Sequence, residues 1–261
     1  MSVETLLRLA LVPAAVWLAS LAARRWGHAV SGYLGGLPLI GGPITLYLAL
    51  DYGAEFAARS AVVTLAAVAG QAAHLALFTR LGRRARWPAA LAAGWASFAV
   101  LAIALARLPL TPVFALAIAA VSLAVAFNAI ADPRDEASLP AIPPVELRLR
   151  LAAALGLAMV ILAGAQTFGP VVSGVLLSVP VTGSILPPFT LALYGPASVA
   201  RLARGFVIGL TGFSAFFFVV GVCVVSLGIT TAFVVALGAA LATVFAVTRI
   251  LFHVAKEVGP G

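Results

Sequence analysis

The sequence predicts an all-α integral membrane protein. About nine transmembrane helices are expected, as two four-helix units of opposite topology joined by a linker helix. Three observations carry that prediction. The residues AVILMFWYC make up 63% of the 261-residue chain and DEKR only 9%, whereas a soluble domain is roughly half apolar and about a quarter charged. The chain divides into hydrophobic runs of about 20 residues, the length that crosses ~30 Å of hydrocarbon. It also matches itself, without a gap, at an offset of about 142 positions. With so few polar side chains the surface cannot face water, and lipid must be the solvent. A water-soluble enzyme, a disordered tail and a disulfide scaffold are excluded. The single Cys223 lies in an apolar run and allows no cysteine metal cage.

The expected spans are residues 3–23, 28–50, 57–79, 88–106, 110–131, 146–165, 171–193, 204–226 and 230–252. They are rich in Ala and Leu and do not alternate in polarity, which predicts helices rather than strands. The first has the length of a signal peptide and a tolerable cleavage site at Ser20-Leu21-Ala22. Glu4 makes a poor positive n-region, however, and the second half of the chain carries a copy of this segment, so it is read as a retained helix. The fifth span is the linker helix, within 108–131. Residues 132–144, with Asp132, Arg134, Asp135, Glu136 and several prolines, are too polar for lipid and form a loop that divides the chain nearly in half. The last apolar run, from Gly205 to Phe252, is about twice a span and divides near Ser226-Leu227-Gly228. The units are then 1–107 and 145–261.

The self-match extends beyond Ala and Leu. Glu4, Arg8, Gly27, Ser31, Gly32, Pro38 and Gly41 fall on Glu146, Arg150, Gly169, Ser173, Gly174, Pro180 and Gly183; Tyr52, Gly53 and Arg59 fall on Tyr194, Gly195 and Arg201. Five crossings separate the starts of the two copies, so the second is inverted. The net charge of +8 fits that topology better than a nucleic-acid partner. With nine crossings, thirteen of the sixteen Lys and Arg residues collect on one side, and only Arg8, Arg59 and Arg107 on the other. The richly basic side is expected to be cytoplasmic, with the N-terminus outside and the C-terminus inside the bacterial inner membrane.

Inverted repeats with interrupted helices point to a secondary-transporter site. The second span contains Pro38, Gly41, Gly42 and Pro43, and its copy contains Pro180, Gly183, Ser184, Pro187 and Pro188. Proline removes a backbone donor and clashes with the preceding turn, so breaks are expected near Gly41-Gly42-Pro43 and Gly183-Ser184, with Gly42 and Ser184 in capping positions. Two half-helix N-termini would converge from opposite sides, a setting that suits an anionic or strongly polar group. The candidate contacts are Gly41, Gly42, Thr45, Ser178, Thr182, Gly183 and Ser184, with Gln71 and His74 from one face of the third span. Close packing of small residues is the competing reading of the glycines. Glu4 with Arg8, and Glu146 with Arg150, read as interfacial i,i+4 ion pairs. Asp51 and Glu55 read as a solvated rim.

The stretch Ser31-Gly32-Tyr33-Leu34-Gly35-Gly36-Leu37-Pro38-Leu39, followed by Leu46-Tyr47-Leu48 and Gly53, resembles small four-helix bacterial membrane proteins of the GlpM type. That resemblance implies a membrane unit and no particular reaction. The fused, inverted plan is also similar to that of the drug/metabolite transporters. There is no HExxH, GxSxG, P-loop or Cys/His cluster, so no catalytic residue, metal or cofactor is expected. The expected function is a small transporter or flippase for an anionic or amphipathic solute. The alternative is a non-transporting accessory protein, for example one supporting export of envelope polysaccharide. The bilayer is the principal partner, and a homodimer is compatible with this plan.

Overall fold

The computed structural model describes residues 3–131, 144–165 and 170–257. Every regular element among them is a helix: α1 (Val3–Trp26), α2 (His28–Gly36), α3 (Gly41–Tyr52), α4 (Ala54–Ala66), α5 (Val68–Leu81), α6 (Trp87–Ala106), α7 (Pro112–Ala129), α8 (Pro144–Ala165), α9 (Pro170–Leu177), α10 (Val181–Leu227) and α11 (Ile229–Glu257). Four glycines with positive φ turn the corners between consecutive helices: Gly27 (86°), Gly53 (90°), Gly195 (77°) and Gly228 (77°). Glycine alone takes such angles at little steric cost. Gly195 lies inside α10, which therefore has two arms, Val181 to Tyr194 and Pro196 to Leu227. The division expected near Ser226-Leu227-Gly228 falls at Gly228. The third expected span is longer than its hydrophobic run, reaching from Ala54 to Leu81 with a turn at Ala67. The polar loop expected over 132–144 lies outside the described residues, apart from Pro144, which begins α8.

Among the described residues, six helical stretches are long and apolar enough to cross a membrane: His28–Tyr52, Ala54–Leu81, Trp87–Ala106, Pro112–Ala129, Gly174–Leu227 and Ile229–His253. Their burial sorts them into layers. In an apolar 18-residue window of Ala54–Leu81, 78% of the residues are buried, and 61% in that of Gly174–Leu227, against 17% for Ile229–His253. The α4–α5 pair and α10 thus form the middle, with α6, α7 and α11 outside. Val100, Val113, Val121, Val234, Leu237 and Phe245 are each more than half exposed on those outer helices. Such a surface is stable in hydrocarbon and not in water, so the chain is built to be embedded in a membrane.

Two backbone-to-backbone contacts organise the middle. A Cβ on Gly32 or Gly36 of α2 would overlap the Leu202 or Phe206 carbonyl oxygen of α10, and one on Gly205 or Gly209 would overlap that of Ala29 or Tyr33. Small residues four apart on both helices let their axes approach this closely. Helix α9 lies on α4 in a related way. A Cβ on Gly174 would come within 2.6 Å of the Ser60 carbonyl oxygen, and the Thr64 hydroxyl donates to the Gly174 carbonyl at 3.0 Å. Gly32 with Leu202, and Gly174 with Ser60, are contacts between positions 142 apart in sequence, with the partners exchanged.

Candidate functional site

Helix α2 stops at Gly36 because the chain turns extended at Leu37 (φ −72°, ψ 158°) and the next residue, Pro38, has no N–H to continue the ladder. Around the break, Leu37 N–H donates to Leu34 O (3.3 Å), Leu39 N–H to Leu37 O (2.8 Å) and Gly42 N–H to Pro38 O (2.8 Å). Between α9 and α10 the same pattern recurs: Val179 N–H to Leu176 O (3.2 Å), Val181 N–H to Val179 O (2.8 Å) and Ser184 N–H to Pro180 O (2.7 Å). The interruptions occupy Leu37 to Ile40 and Ser178 to Pro180. They therefore lie just before the glycines, not at them. Gly41 opens α3 and Ile40 occupies its cap, so Gly42 and Pro43 already belong to the first turn, where a missing donor is harmless. Ser184 caps nothing: its hydroxyl donates to the Pro180 carbonyl at 2.7 Å.

The breaks touch. The Thr182 hydroxyl donates to the Gly35 carbonyl at 2.8 Å, one of the acceptors that the end of α2 leaves without a helical partner. Ile40, Val179, Val181 and Ile185 share one apolar cluster. The covers differ. A Cβ on Gly41 would meet the Phe217 ring at 3.2 Å and the Phe213 ring at 3.5 Å, and one on Gly42 the Phe216 ring at 3.3 Å. At the second break the ring beside Gly183 is His74, whose Nε2 lies 3.2 Å from the Gly183 carbonyl oxygen. Nε2 therefore carries the proton in this contact. Gly94 of α6 makes room for the other ring edge, since a Cβ there would come within 2.7 Å of Nδ1. Gln71, one turn before His74, is also buried. Thr45 and Ser178 spend their hydroxyls on their own helices, on Gly41 O and Val175 O, each at 2.7 Å.

From the Thr182–Gly35 contact a seam runs between α2 and the first arm of α10, which lie antiparallel. At its far end the His28 and Tyr194 rings are 5.0 Å apart. His28, Ser31 and Gly35 share one face of α2; Thr182, Leu186, Thr190 and Tyr194 are spaced by four on α10. That far end holds a buried ion pair. The Arg150 guanidinium, 1% exposed, donates to Glu146, 5% exposed. Tyr194 OH donates to the other Glu146 oxygen at 2.7 Å, Arg150 Nη1 reaches Ser20 Oγ at 3.4 Å, and the guanidinium lies 5.5 Å from the Phe189 ring centre. The pair expected at a membrane face is thus inside the protein. The side chains of Glu4 and Arg8 lie outside the described residues. Asp51 and Glu55 are exposed as expected, with Glu55 3.9 Å from Arg59.

Four buried side-chain polar atoms among the described residues have no hydrogen-bond partner: Ser31 Oγ, Thr190 Oγ1, Arg150 Nε and His74 Nδ1. Buried polar atoms are nearly always satisfied, by protein or by a bound molecule. Three of the four belong to the seam or its ion-pair end, and the fourth stands at the second break. The structure thus brings Thr182, Gly183 and His74 to one place and leaves Gly41 and Gly42 behind aromatic rings. It adds Ser31, Thr190 and Tyr194, which the sequence did not single out as contacts, and Glu146 and Arg150, which it singled out only as an interfacial pair. The signal that could have found Thr190 and Tyr194 is their i,i+4 spacing with Thr182 and Leu186. The chain matches no protein-family model, no curated protein and no solved structure.

Proposed function

We propose that the chain is a small carrier of the bacterial inner membrane, a secondary transporter or flippase, that moves an anionic or amphipathic solute along the α2–α10 seam. Counting α1 (24 residues) and α8 (22 residues) with the six long stretches, and dividing α10 at Gly195, gives nine crossings. The inverted repeat is supported by the exchanged Gly32–Leu202 and Gly174–Ser60 contacts, by the matched hydrogen bonds at the two breaks, and by positive φ at both Gly53 and Gly195. Alternating access follows from such a pair of units when one rocks against the other around a shared site.

The observation that carries the reading is the set of unpartnered buried donors along one seam, ending on an ion pair. Leaving such groups dry costs about 1–3 kcal/mol each, so they fit a state awaiting a polar solute or water. The unpartnered Nε–H of Arg150 and the hydroxyls of Ser31 and Thr190 suit acceptor atoms of such a solute. The accessory reading has one observation in its favour, the sealing of Gly41 and Gly42 by Phe213, Phe216 and Phe217.

Single cysteines separate the two. In a Cys223→Ser background, Ser31→Cys and Thr190→Cys are exposed, in native membranes, to a membrane-impermeant thiol reagent. A carrier opens this seam to water, and both variants are expected to react, while Phe217→Cys does not. Seam variants as unreactive as Phe217→Cys would favour the static accessory protein.

A further inference from the structure

A concave feature lies on the other side of the second arm of α10 from the first break. A cavity of about 650 Å³ is framed by α7, the second arm of α10 and α11. Its size is that of a small-molecule site, yet its walls do not suit a polar solute. The lining is aliphatic and aromatic apart from Asn128, Thr211, Ser214 and Thr243. Three of those four turn their donors to their own helices: Asn128 to Ala124 O, Thr211 to Ile208 O and Ser214 to Leu210 O.

The length and one end of the cavity identify its occupant. On α7 the lining runs from Leu116 to Asn128, which at 1.5 Å per residue is about 18 Å. That is close to the depth of one leaflet of a ~30 Å hydrocarbon core. The Asn128 end coincides with the last turn of α7, where headgroups begin. There Arg204 of α10 sits one turn beyond Val207 and Ile208, which line the cavity. Its guanidinium lies 4.1 Å from the Phe127 ring centre and donates to Ile130 O at 3.1 Å. Arg204, stacked on the lining residue Phe127, thus stands beside one end of an apolar slot about one leaflet deep.

We infer that this slot binds an anionic phospholipid, with an acyl chain along Leu116 to Phe127 and the phosphate at Arg204. An acyl chain satisfies walls that are almost wholly apolar, and an arginine recognises phosphate by charge-assisted hydrogen bonds. The inference does not depend on transport: a static accessory protein would carry the same lipid.

The test uses the full-length protein exchanged into a detergent containing equimolar phosphatidylglycerol and phosphatidylethanolamine, with bound lipid read by native mass spectrometry. The wild type is expected to retain phosphatidylglycerol in several-fold excess. Arg204→Gln should bring the two lipids to parity, and Arg204→Lys should keep most of the preference. Ala120→Trp, which fills the slot from an exposed position on α7, should lose the bound lipid altogether. Melting in detergent checks that each variant is folded. Equal retention of both lipids by the wild type would overturn the inference. So would an unchanged preference in folded Arg204→Gln, a wild-type lipid count in Ala120→Trp, or a mass showing a second copy in place of lipid.

Discussion

The two broken helices share a backbone and differ in chemistry. Three hydrogen bonds around Pro38 recur around Pro180 in the same register, and a positive-φ glycine ends each second half, Gly53 and Gly195. The surroundings diverge. Phe213 and Phe216 cover the first break, and at the second the facing ring is His74, 142 positions before Phe216 in the sequence. Tyr52, at the end of the first broken helix, is 61% exposed and stacks on Phe56. Its counterpart Tyr194 is bonded to a buried carboxylate. The two breaks are therefore alike where prolines and glycines dictate the backbone, and unlike in the side chains packed around them. The first break lies under rings from the second half of the chain, Phe213, Phe216 and Phe217, and the second lies beside His74 from the first half.

The largest effect should come from the ion pair at the polar end. Arg150→Leu leaves Glu146 buried without its cation, and breaking such a pair costs about 3–5 kcal/mol. A large loss of thermal stability in detergent is expected, partly restored by adding Glu146→Leu. Arg59→Leu, at the exposed Glu55–Arg59 pair, should leave the melting temperature unchanged. Similar melting for the Arg150 and Arg59 variants would erase the difference between the two ends.

The symmetric part is tested by the crossed glycines. Gly32→Ala and Gly174→Ala each push a methyl group into a carbonyl oxygen of the facing helix. Losses of about 1–3 kcal/mol are expected from both, measured by denaturant or heat. Loss from one alone would show that the contacts are not equivalent.

A smaller effect belongs to the tyrosines. Tyr194→Phe removes a hydrogen bond to a charged group, worth about 1.5 kcal/mol or somewhat more, and should lower stability measurably. Tyr52→Phe should change nothing. A response to Tyr52→Phe as large as that to Tyr194→Phe would break the comparison.

Much of the backbone was legible in the sequence, because prolines and glycines act locally. Pro38 and Pro180 announced the breaks, and Tyr52-Gly53 matching Tyr194-Gly195 marked the corners. The break positions were read about three residues late. The glycines looked like the weak point, whereas the missing proline N–H ends the helix and Gly41 begins the next. Less of the candidate site was legible. His74 and Thr182 bond carbonyls of the two breaks, whereas Thr45, Ser178 and Ser184 bond a carbonyl about one turn back, as short hydroxyl side chains in helices commonly do. Glu146 and Arg150 were recognised as a pair from i,i+4 spacing, but spacing carries no information about depth. Their burial depends on Ser20, Phe189 and Tyr194 arriving from other helices. For the same reason the rings over Gly41 and Gly42 could not be foreseen.

The central claim is that the two copies enter the membrane from opposite sides, so that their breaks meet. The most direct measurement is the sidedness of Arg59 and Arg201, which are equivalent positions in the two copies. With Cys223→Ser as background, Arg59→Cys and Arg201→Cys would be labelled by an impermeant thiol reagent in intact cells and in inverted vesicles. The account predicts that Arg59→Cys reacts only from outside and Arg201→Cys only from the cytoplasmic face. Reaction of both from the same face would contradict it.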